Sequence, residues 1–224
     1  MKSIDRYFAR WLRERLGVGI GIAVAPLDRM YPLMPEEERY VSNAVASRRI
    51  EFSAGRSCAR RALEELGIAA QAIRMGPRGE PIWPPGVCGS ITHSAGICAA
   101  VVAGAAEAAG VGIDIVDLRE GERVLVSSEA IFSGEAELTR ARTTLSGCGT
   151  SANALSILFS AKESAIKAMS PSLDRFVEFT EIEVRLEGSN FQAQCGAFET
   201  AVHGWWSVYD GHAFTAAVMP GRNN

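Results

Sequence analysis

An acidic side chain interrupts the apolar run VGIDIVD near the middle of the chain. An ionised carboxylate within a buried strand is costly unless it is paired or bound to a cation. Side chains alternate along a strand, so Asp114 and Val116 are predicted on one face. Ile113, Ile115 and Asp117 then face the other way. Asp114 is therefore a candidate cation ligand, and an ordinary acid at a strand end or turn is the alternative.

A second group of charges lies in the segment FSAKESAIKA. Glu163 and Lys167 are four residues apart, which places them on one face of a helix. An exposed Glu–Lys pair without a functional role is the alternative. However, Lys162, Glu163 and Lys167 are the only charged residues between Arg142 and Asp174. This concentration of charge on an apolar helix predicts contact with a specific ligand.

Arginines are frequent between residues 48 and 78. Guanidinium groups bind phosphate through paired, charge-assisted hydrogen bonds, so these arginines predict a phosphate-binding wall. A solvated surface is the alternative for scattered arginines. The set is Arg48, Arg49, Arg56, Arg60, Arg61, Arg74 and Arg78.

A histidine follows the motif GSIT. Cys88, His93 and Cys98 are disfavoured as zinc ligands, because residues five apart along a strand face opposite ways. Ser94 lacks the first glycine of a nucleophile elbow, which weakens a hydrolase interpretation. His93 alone is more often structural than chemical, so it needs support from its neighbours.

The composition of the chain excludes several classes of protein. Of its 224 residues, 47% are hydrophobic and 22% charged, as in a folded protein with a substantial core. A net charge of −3 argues against a protein that coats nucleic acid or an anionic membrane. Five cysteines without a C-x-x-C pair exclude a disulfide scaffold and favour a cytoplasmic location. No apolar span of about 20 residues exists, so no membrane span is expected.

The pattern along the chain predicts both helices and strands. Helices are predicted over residues 3–16, from Pro35, over 51–66 and over 155–169. Strands are predicted over residues 16–27, 90–93, 97–103 and 111–116, with further hairpins over 182–219. For residues 16–27, a signal peptide is the less favoured interpretation. Residues 76–89 and 143–153 are predicted loops.

An internal repeat accompanies this pattern. FSAGRSCAR at residues 52–60 aligns with FSAKESAIK at 159–167, and CAAVV at 98–102 aligns with TAAVM at 215–219. Similar offsets in the same order predict a duplicated unit of a helix followed by strands, with chance matching of alanine-rich segments as the alternative. A duplication would place a seam between two halves, a favoured position for a ligand cleft.

Taken in order, these motifs resemble the 4′-phosphopantetheinyl transferases of the two-lobed surfactin/enterobactin-synthetase type. The resemblance covers most of the chain, and its first half is most similar to the branch of enterobactin synthetase component D. The motifs are RRIEF, GR and CAR within residues 48–60, GEP and WP within 79–84, GSITH at 89–93, GID at 112–114 and FSAKES at 159–164.

The resemblance implies an α+β fold of two similar lobes related by a pseudo-twofold axis, with the ligand cleft at their seam. The implied lobes are residues 1–110 and 111–224. It implies a reaction in which a serine of an apo acyl or peptidyl carrier protein attacks the β-phosphorus of coenzyme A, and 3′,5′-adenosine diphosphate leaves. A monomer with coenzyme A as co-substrate and no nucleic-acid partner is expected. Siderophore, peptide, polyketide and fatty-acid synthesis all stay open as pathways.

The resemblance also implies roles for the candidate residues. Asp114 and Glu163 would hold Mg²⁺, which prefers hard oxygen ligands. Asp114, Glu163 and Lys167 would be the catalytic residues, with Glu163 or a water accepting the proton of the carrier serine. The residues implied in binding coenzyme A are Arg48, Arg56, Arg78, Thr92, His93, Lys162 and Lys167.

The chain departs from this family at two positions. Val116 stands where this branch commonly carries a second acid, and Asp117 faces the wrong way to replace it. A water is therefore expected at that coordination position, with weaker binding of Mg²⁺ before coenzyme A arrives. Met75 stands where a basic residue is common, which leaves Arg74 or Arg78 to serve.

Two other functions stay open at this stage. A degenerate pseudoenzyme could still bind coenzyme A or a carrier protein, as the change at Val116 suggests. A serine hydrolase would pair Ser94 or Ser90 with His203 or His212.

The segment after Asp117 is predicted to contact the carrier protein. Carrier proteins generally present an acidic helix, which suits apolar side chains mixed with a few bases. An ordinary core position is the alternative for the apolar members of the set. The predicted contacts are Leu118, Ile131, Phe132, Arg140 and Arg142.

Overall fold

The computed structural model describes residues 2–17, 19–94, 96–120, 131–147, 150–173, 175–196 and 201–221. Its helices within these ranges are α1 (Lys2–Leu16), α2 (Pro35–Glu38), α3 (Ala46–Glu65), α4 (Glu135–Thr144) and α5 (Ser151–Met169). Its strands are β1 (Ile20–Pro26), β2 (Arg74–Met75), β3 (Pro81–Ile82), β4 (Val87–Ser94), β5 (Ile97–Gly104), β6 (Ala108–Asp117), β7 (Ile182–Glu187), β8 (Asn190–Cys195), β9 (Val202–Tyr209) and β10 (His212–Pro220).

The N-terminal sheet is antiparallel and has the strand order β1-β5-β4. Its central strand β5 reads ICAAVVAG and is buried up to its last residue. Helix α3 lies across β1 and β5. A Cβ on Gly21 of β1 would overlap the carbonyl group of Ala62, so this glycine allows α3 to approach the strand closely.

The C-terminal sheet is also antiparallel and has the strand order β6-β10-β9-β8-β7. Helix α5 covers β6 and β10. A Cβ on Gly112 would overlap the carbonyl group of Ser164, and one on Gly110 would overlap that of Ala168. Both glycines therefore bring α5 against the strand that carries Asp114.

The two sheets repeat one arrangement, as the internal sequence repeat predicts. Strands β5 and β10, which the repeat aligns, each lie between two antiparallel neighbours. Helices α3 and α5, which the repeat also aligns, each contact a strand at a glycine, Gly21 or Gly112. The structure therefore supports a duplicated unit of a helix and strands within an α+β fold.

Helix α1 joins the two sheets. The ring of Phe8 lies 4.8 Å from that of Phe214 of β10, and the ring of Tyr7 stacks on that of Tyr209 of β9 at 4.1 Å. The hydroxyl of Tyr7 is 2.6 Å from Ser207 Oγ. The apolar face of α1 also packs against β1, so one core cluster contains side chains from α1 and from both sheets.

A buried glutamate ties α2 to α3. Glu37 is fully buried, and its Oε2 accepts hydrogen bonds from the backbone N–H of Met34 at 3.0 Å and from Arg60 Nη1 at 2.6 Å. Its Oε1 accepts from the N–H of Ile73 at 2.9 Å. A carboxylate without exposure is stable here because a cation and two backbone donors satisfy it.

The same device recurs in the second half. Glu137 of α4 is 2% exposed and accepts hydrogen bonds from the N–H of Ser133 at 2.9 Å and from the N–H of Val184 at 2.8 Å. Its Oε2 lies 2.8 Å from Lys162 Nζ of α5. Each half therefore contains a buried glutamate near a helix start, held by a cation of its large helix.

The elements differ from the sequence expectations at several boundaries. Helix α3 begins five residues before the predicted start. The sequence did not indicate this start, because Val45 has no side chain that can cap a helix. Helix α5 begins at Ser151, inside a predicted loop, where the Thr150 side chain accepts from the Asn153 N–H. The predicted loop over residues 76–89 contains strand β3 and the first residues of β4, and helix α4 had no prediction.

Candidate functional site

Asp114 is the centre of a polar cluster between the two sheets. It is 7% exposed. Its Oδ1 accepts hydrogen bonds from Thr92 Oγ1 at 3.1 Å and from Lys167 Nζ at 2.7 Å. Its Oδ2 accepts from Ser160 Oγ at 2.8 Å, and Ser160 in turn contacts Thr215 of β10. Strands β4 and β6 and helix α5 thus meet at one carboxylate.

Lys167 joins Asp114 to Glu163. Its Nζ lies 3.6 Å from Glu163 Oε2, and the two side chains are 27% and 28% exposed. Burial alone would lower the pKa of Lys167, but the carboxylates of Asp114 and Glu163 outweigh it and raise this pKa. Burial raises the pKa of Glu163; Lys167 opposes this rise and Asp114 adds to it. Lys167 is therefore cationic, and Glu163 holds a proton more readily than an ordinary glutamate.

The face alternation predicted for β6 is confirmed. Ile113 and Ile115 belong to the core cluster formed with α1. Asp114 faces α5, and Val116 packs on the same side against a cluster that contains Ala154 and Ile157 of α5. Val116 therefore occupies an apolar site and supplies no oxygen to the Asp114 cluster.

His93 and Thr92 are consecutive on β4 and point to different surroundings. Thr92 donates to Asp114, whereas His93 Nε2 lies 3.9 Å from Glu51 Oε2 of α3. Arg48 Nη1 lies 3.5 Å from the same Glu51 oxygen. Burial lowers the pKa of His93, with Glu51 opposing this effect and Arg48 adding to it. His93 therefore loses its proton more readily than an ordinary histidine.

Arg56 is a buried cation beside this group. It is 6% exposed, and its guanidinium carbon lies 4.2 Å from the ring centroid of Phe52. Its Nε is buried and has no hydrogen-bond partner within the described part of the chain. Burial lowers the pKa of Arg56 to about 10. A buried guanidinium with an unsatisfied donor is suited to bind an anion.

A cleft of about 560 Å³ opens next to Lys167. Its wall on the side of the N-terminal sheet includes Trp83 and Ile91, and the opposite wall includes Lys167 and Phe176. Arg78 lines the same cleft and donates through Nη1 to the carbonyl groups of Leu173 and Arg175, at 3.2 and 2.9 Å. The cleft therefore lies between the two halves of the chain.

The structure does not bring Lys162 to this site, which corrects the expectation that it binds coenzyme A. Its side chain is fully buried, and its Nζ contacts Glu137 Oε2 at 2.8 Å. The same ammonium donates to the carbonyl groups of Phe179 and Ile182, at 3.0 and 2.7 Å. All three donors of Lys162 are thus engaged away from Asp114.

The sequence patterns missed three side chains of the site. Ser160 donates to the Asp114 carboxylate, and Thr215 contacts Ser160. Glu51 lies between Arg48 and His93. Ser160 had a usable signal, because it precedes Glu163 by three residues and Lys167 by seven, which is one helix face.

The expected carrier-binding segment is partly wrong. Ile131 and Phe132 are 7% and 5% exposed and belong to the core over which α5 packs. Leu118 is also buried, at 9% exposure. Arg140 pairs with Glu183 at 2.7 Å. Arg142 is the one member of the set that is exposed and has no ion pair among the described contacts.

The alternative serine-hydrolase pairs do not form. Ser90 Oγ accepts a hydrogen bond from the N–H of Ile113 at 3.1 Å. His212 is buried, with Nε2 3.7 Å from Asp117 Oδ2. His203 lines a separate cavity of about 690 Å³ over strands β7 to β9. Neither histidine contacts Ser90 or Ser94 in the described residues.

The Asp114–Glu163 pair fits a divalent cation that is shared with a ligand. The ammonium of Lys167 already places a positive charge at both carboxylates. Across the described ranges, no three His, Cys, Asp or Glu side chains converge to hold a metal on their own. Mg²⁺ commonly uses one or two carboxylates together with waters and substrate phosphates. The donor set therefore suits Mg²⁺ with a phosphate ligand.

No helix in the described part of the chain is both long enough and apolar enough to cross a membrane. Its described cysteines, Cys58, Cys88, Cys98 and Cys195, are free thiols and buried.

Comparison with known proteins identifies the family. A profile of the 4′-phosphopantetheinyl transferase N-terminal domain matches residues 36–103, and one of the 4′-phosphopantetheinyl transferase superfamily matches residues 110–217. The 4′-phosphopantetheinyl transferase Svp of Streptomyces mobaraensis is 39% identical over 166 residues, which cover 73% of this chain and 65% of Svp. The 4′-phosphopantetheinyl transferase PptT of Mycobacterium tuberculosis is 32% identical over 204 residues, which cover 83% of this chain and 86% of PptT.

A relative of the enterobactin type is also similar. Enterobactin synthase component D of Salmonella typhi is 33% identical over 138 residues, which cover 61% of this chain and 54% of that protein. The resemblance drawn from the ordered motifs is thereby confirmed. The chain belongs to the 4′-phosphopantetheinyl transferase superfamily, the enzymes that move the 4′-phosphopantetheine group of coenzyme A to apo carrier proteins.

Proposed function

We propose that this chain transfers the 4′-phosphopantetheine group of coenzyme A to a serine of an apo acyl or peptidyl carrier protein, with Mg²⁺ held by Asp114 and Glu163. The observation that carries this proposal is the contact of Lys167 with both carboxylates, at the edge of a cleft between two duplicated halves. Family membership supports the transfer. We propose two lobes close to the expected ranges 1–110 and 111–224, with the boundary moved so that all of β6, from Ala108, belongs to the second lobe.

Asp114 and Glu163 would hold the cation, and its chemistry when bound is to neutralise the oxygens of the coenzyme A diphosphate. Asp114 is fixed for this task, because Thr92 and Ser160 restrain its two oxygens from neighbouring elements. A restrained carboxylate needs little reorganisation when charge develops nearby.

Lys167 supplies a fixed positive charge. Its Nζ keeps its proton, because the neighbouring carboxylates raise its pKa. The side chain also lines the cleft, so its ammonium can donate to a phosphate oxygen. In phosphoryl transfer, such a donor stabilises the charge that develops on the leaving group.

Glu163 is the candidate general base. In the free chain burial raises the pKa of Glu163, and a bound Mg²⁺ would lower this pKa again, so the access of the carboxylate and not its pKa supports the role. The carboxylate is partly exposed, so the carrier serine or an intervening water can approach it. Its role is to accept the serine proton as the serine oxygen attacks the β-phosphorus.

Arg48, Arg56, His93 and Arg78 would bind the other phosphates of coenzyme A. Arg78 is the candidate that lines the cleft, and Arg56 is a buried cation whose Nε has no hydrogen-bond partner among the described residues. Arg48 and His93 share the Glu51 carboxylate, which an incoming phosphate would replace. Thr92 contributes indirectly, since its hydroxyl is engaged by Asp114.

A monomer in the cytoplasm is the expected context, and the buried free thiols support a reducing compartment. Siderophore, peptide or polyketide synthesis would supply the carrier protein. The enterobactin synthase relative supports the first of these pathways.

The test is to incubate the chain with coenzyme A, Mg²⁺ and a panel of apo carrier proteins, read by intact-mass spectrometry. At least one carrier should gain the mass of a phosphopantetheine group. Asp114→Asn and Glu163→Gln should abolish the gain, while Glu183→Gln, which removes a carboxylate paired with Arg140, should not.

The same experiment distinguishes the transferase from a pseudoenzyme that only binds coenzyme A, an alternative that the change at Val116 favours. Coenzyme A binding by calorimetry with no mass gain on any carrier would support the pseudoenzyme. Full transfer by Asp114→Asn or Glu163→Gln would contradict the proposed metal ligands.

A further inference from the structure

One arginine bridges the cleft from the first half of the chain to the second. The Nη1 of Arg78 donates to the carbonyl groups of Leu173 and Arg175, at 3.2 and 2.9 Å. All three residues line the cleft, so the bridge joins its opposite walls. Nη1 carries two N–H groups, and both are therefore engaged by backbone acceptors of the other half.

The tip of the β2–β3 hairpin fixes the position of Arg78. The N–H of Gly79 donates to the carbonyl group of Gly76 at 3.0 Å, which closes a tight turn, and Gly79 has a φ of +86°. The Glu80 carboxylate accepts a hydrogen bond from the backbone N–H of Arg78 at 2.9 Å and lies 3.6 Å from its Nε. The guanidinium is therefore oriented toward the opposite wall before any ligand arrives.

The opposite wall is held in place by contacts within the second half. The guanidinium of Arg175 donates to both oxygens of Glu181, at 3.0 and 2.6 Å. It also donates to the carbonyl group of Phe176 at 2.8 Å, and the side chain of Phe176 lines the cleft. Because each end of the bridge is anchored within its own half, the two Arg78 contacts can break without the loss of these other contacts.

We propose that Arg78 is a strap across the cleft, and that coenzyme A enters and 3′,5′-adenosine diphosphate leaves when its two carbonyl contacts break. This inference rests on the proposed function, which places coenzyme A at this cleft, and it adds a gate to that site. Water can replace either partner of a hydrogen bond to a neutral carbonyl group, so the strap can open and close again. The N–H groups of Nη2 take no part in the bridge and stay available to a phosphate oxygen.

The test measures the rate at which coenzyme A binds, by stopped-flow fluorescence of Trp83, which lines the cleft. In the natural chain the observed rate should level off as the coenzyme A concentration rises, because opening of the strap becomes limiting. Arg78→Met lacks the bridging donors, so its association rate constant should be about tenfold higher, the scale of one hydrogen bond from a charged group. Loss of the positive charge alone would lower this rate constant, because coenzyme A is an anion.

A second variant loosens the strap and keeps its charge. Gly79→Ala places an alanine at a positive φ, which disfavours the turn that presents Arg78, although the space around the added Cβ is open. It should raise the association rate constant in the same direction by a smaller factor. Arg185→Met is the control for a lost charge, because Arg185 is exposed on β7 and contacts Glu183. It should leave the association and dissociation rate constants unchanged.

The outcomes distinguish the strap from the proposed function. If the association rate constant of Arg78→Met is equal to or lower than that of the natural chain, the strap is overturned while the coenzyme A site stands. The same conclusion follows if the observed rate rises linearly with coenzyme A, with one slope, in the natural chain and in Gly79→Ala. If calorimetry detects no binding of coenzyme A to the natural chain, the proposed function fails and the inference fails with it.

Discussion

His93 illustrates how a single residue couples ligand binding to pH. In the free chain its pKa is lowered by burial, so the imidazole is neutral near pH 7. A phosphate beside Nε2 favours the imidazolium and raises the pKa in the complex. Coenzyme A should therefore bind with uptake of a proton. Affinity should rise as the pH falls from the raised pKa of the complex toward the lowered pKa of the free chain, and level off below it.

Calorimetry in two buffers with different ionisation enthalpies measures this proton uptake. His93→Gln should remove the contribution of the imidazole, leaving only that of the phosphate itself. Equal proton uptake by the natural chain and by His93→Gln would show that His93 does not face a phosphate.

The residue patterns located part of the site and misplaced one member for a clear reason. Asp114, Glu163 and Lys167 contact one another in the structure. They could be predicted because the alternation of a strand and the spacing of a helix face are visible in the sequence. Lys162 is adjacent to Glu163, and consecutive helix positions point about 100° apart. Its partner Glu137 lies on a helix that had no prediction, so the sequence offered no sign that Lys162 is buried.

Among the elements, α4 and α5 are held together by the Glu137–Lys162 pair. Lys162→Met should leave Glu137 as an uncompensated buried charge and cost about 3–5 kcal/mol of the free energy of unfolding. The double substitution Glu137→Gln with Lys162→Met should recover part of this loss, because it removes the buried charge while the amide oxygen can still accept a hydrogen bond from a backbone N–H. Denaturant unfolding of the variants measures both effects.

Coenzyme A affinity serves as the control for this pair. It should be unchanged in the folded fraction of Lys162→Met, since the ammonium has no contact with the cleft. Lower affinity with unchanged stability would instead assign Lys162 to the ligand, as the family motif implied.

The boundaries and short strands that the sequence did not predict lack local signals. Helix α3 starts after Val45, which has no side chain able to cap it. Strands β2 and β3 have two residues each and pair with one another. The prolines and glycines around them are typical of a loop, so the sequence gives no strand pattern there. Glycines Gly21 and Gly112 interrupt strand patterns, yet they are needed because a helix lies directly on them.

In the whole molecule, the duplicated halves carry opposite charges at one pair of equivalent positions and like charges at another. The sequence repeat aligns Arg56 of α3 with Glu163 of α5, and Arg60 with Lys167. Under the proposed roles, Arg56 in the first half would bind a phosphate where Glu163 in the second half would bind a cation. The repeat made the seam predictable, but only the structure places β4 against β6 and thereby joins the two groups.

Substitution of Arg56 tests whether its buried guanidinium lowers the stability of the free protein. Because its Nε is buried without a partner among the described residues, Arg56→Met should leave the Tm of the free chain unchanged or raise it. The increase in Tm on addition of coenzyme A should be smaller than in the natural chain, since ligand stabilisation follows affinity. Differential scanning calorimetry measures both.

Arg49→Met is the matched control, because Arg49 lies on the same helix and is exposed. It should change neither the Tm of the free chain nor its response to coenzyme A. A marked loss of stability in Arg56→Met would mean that the guanidinium supports the fold rather than a ligand.

The contacts of α1 have a consequence for how the protein is made. Tyr7 and Ser207 are 200 residues apart in sequence, so a ribosome completes α1 long before it reaches β9 and β10. At about 5–20 residues per second, this interval lasts roughly 10–40 seconds. During translation, the apolar face with Phe8 and Trp11 has only β1 and its neighbours to cover it. The apolar face of α1 therefore reaches its final packing only when β9 and β10 have been made.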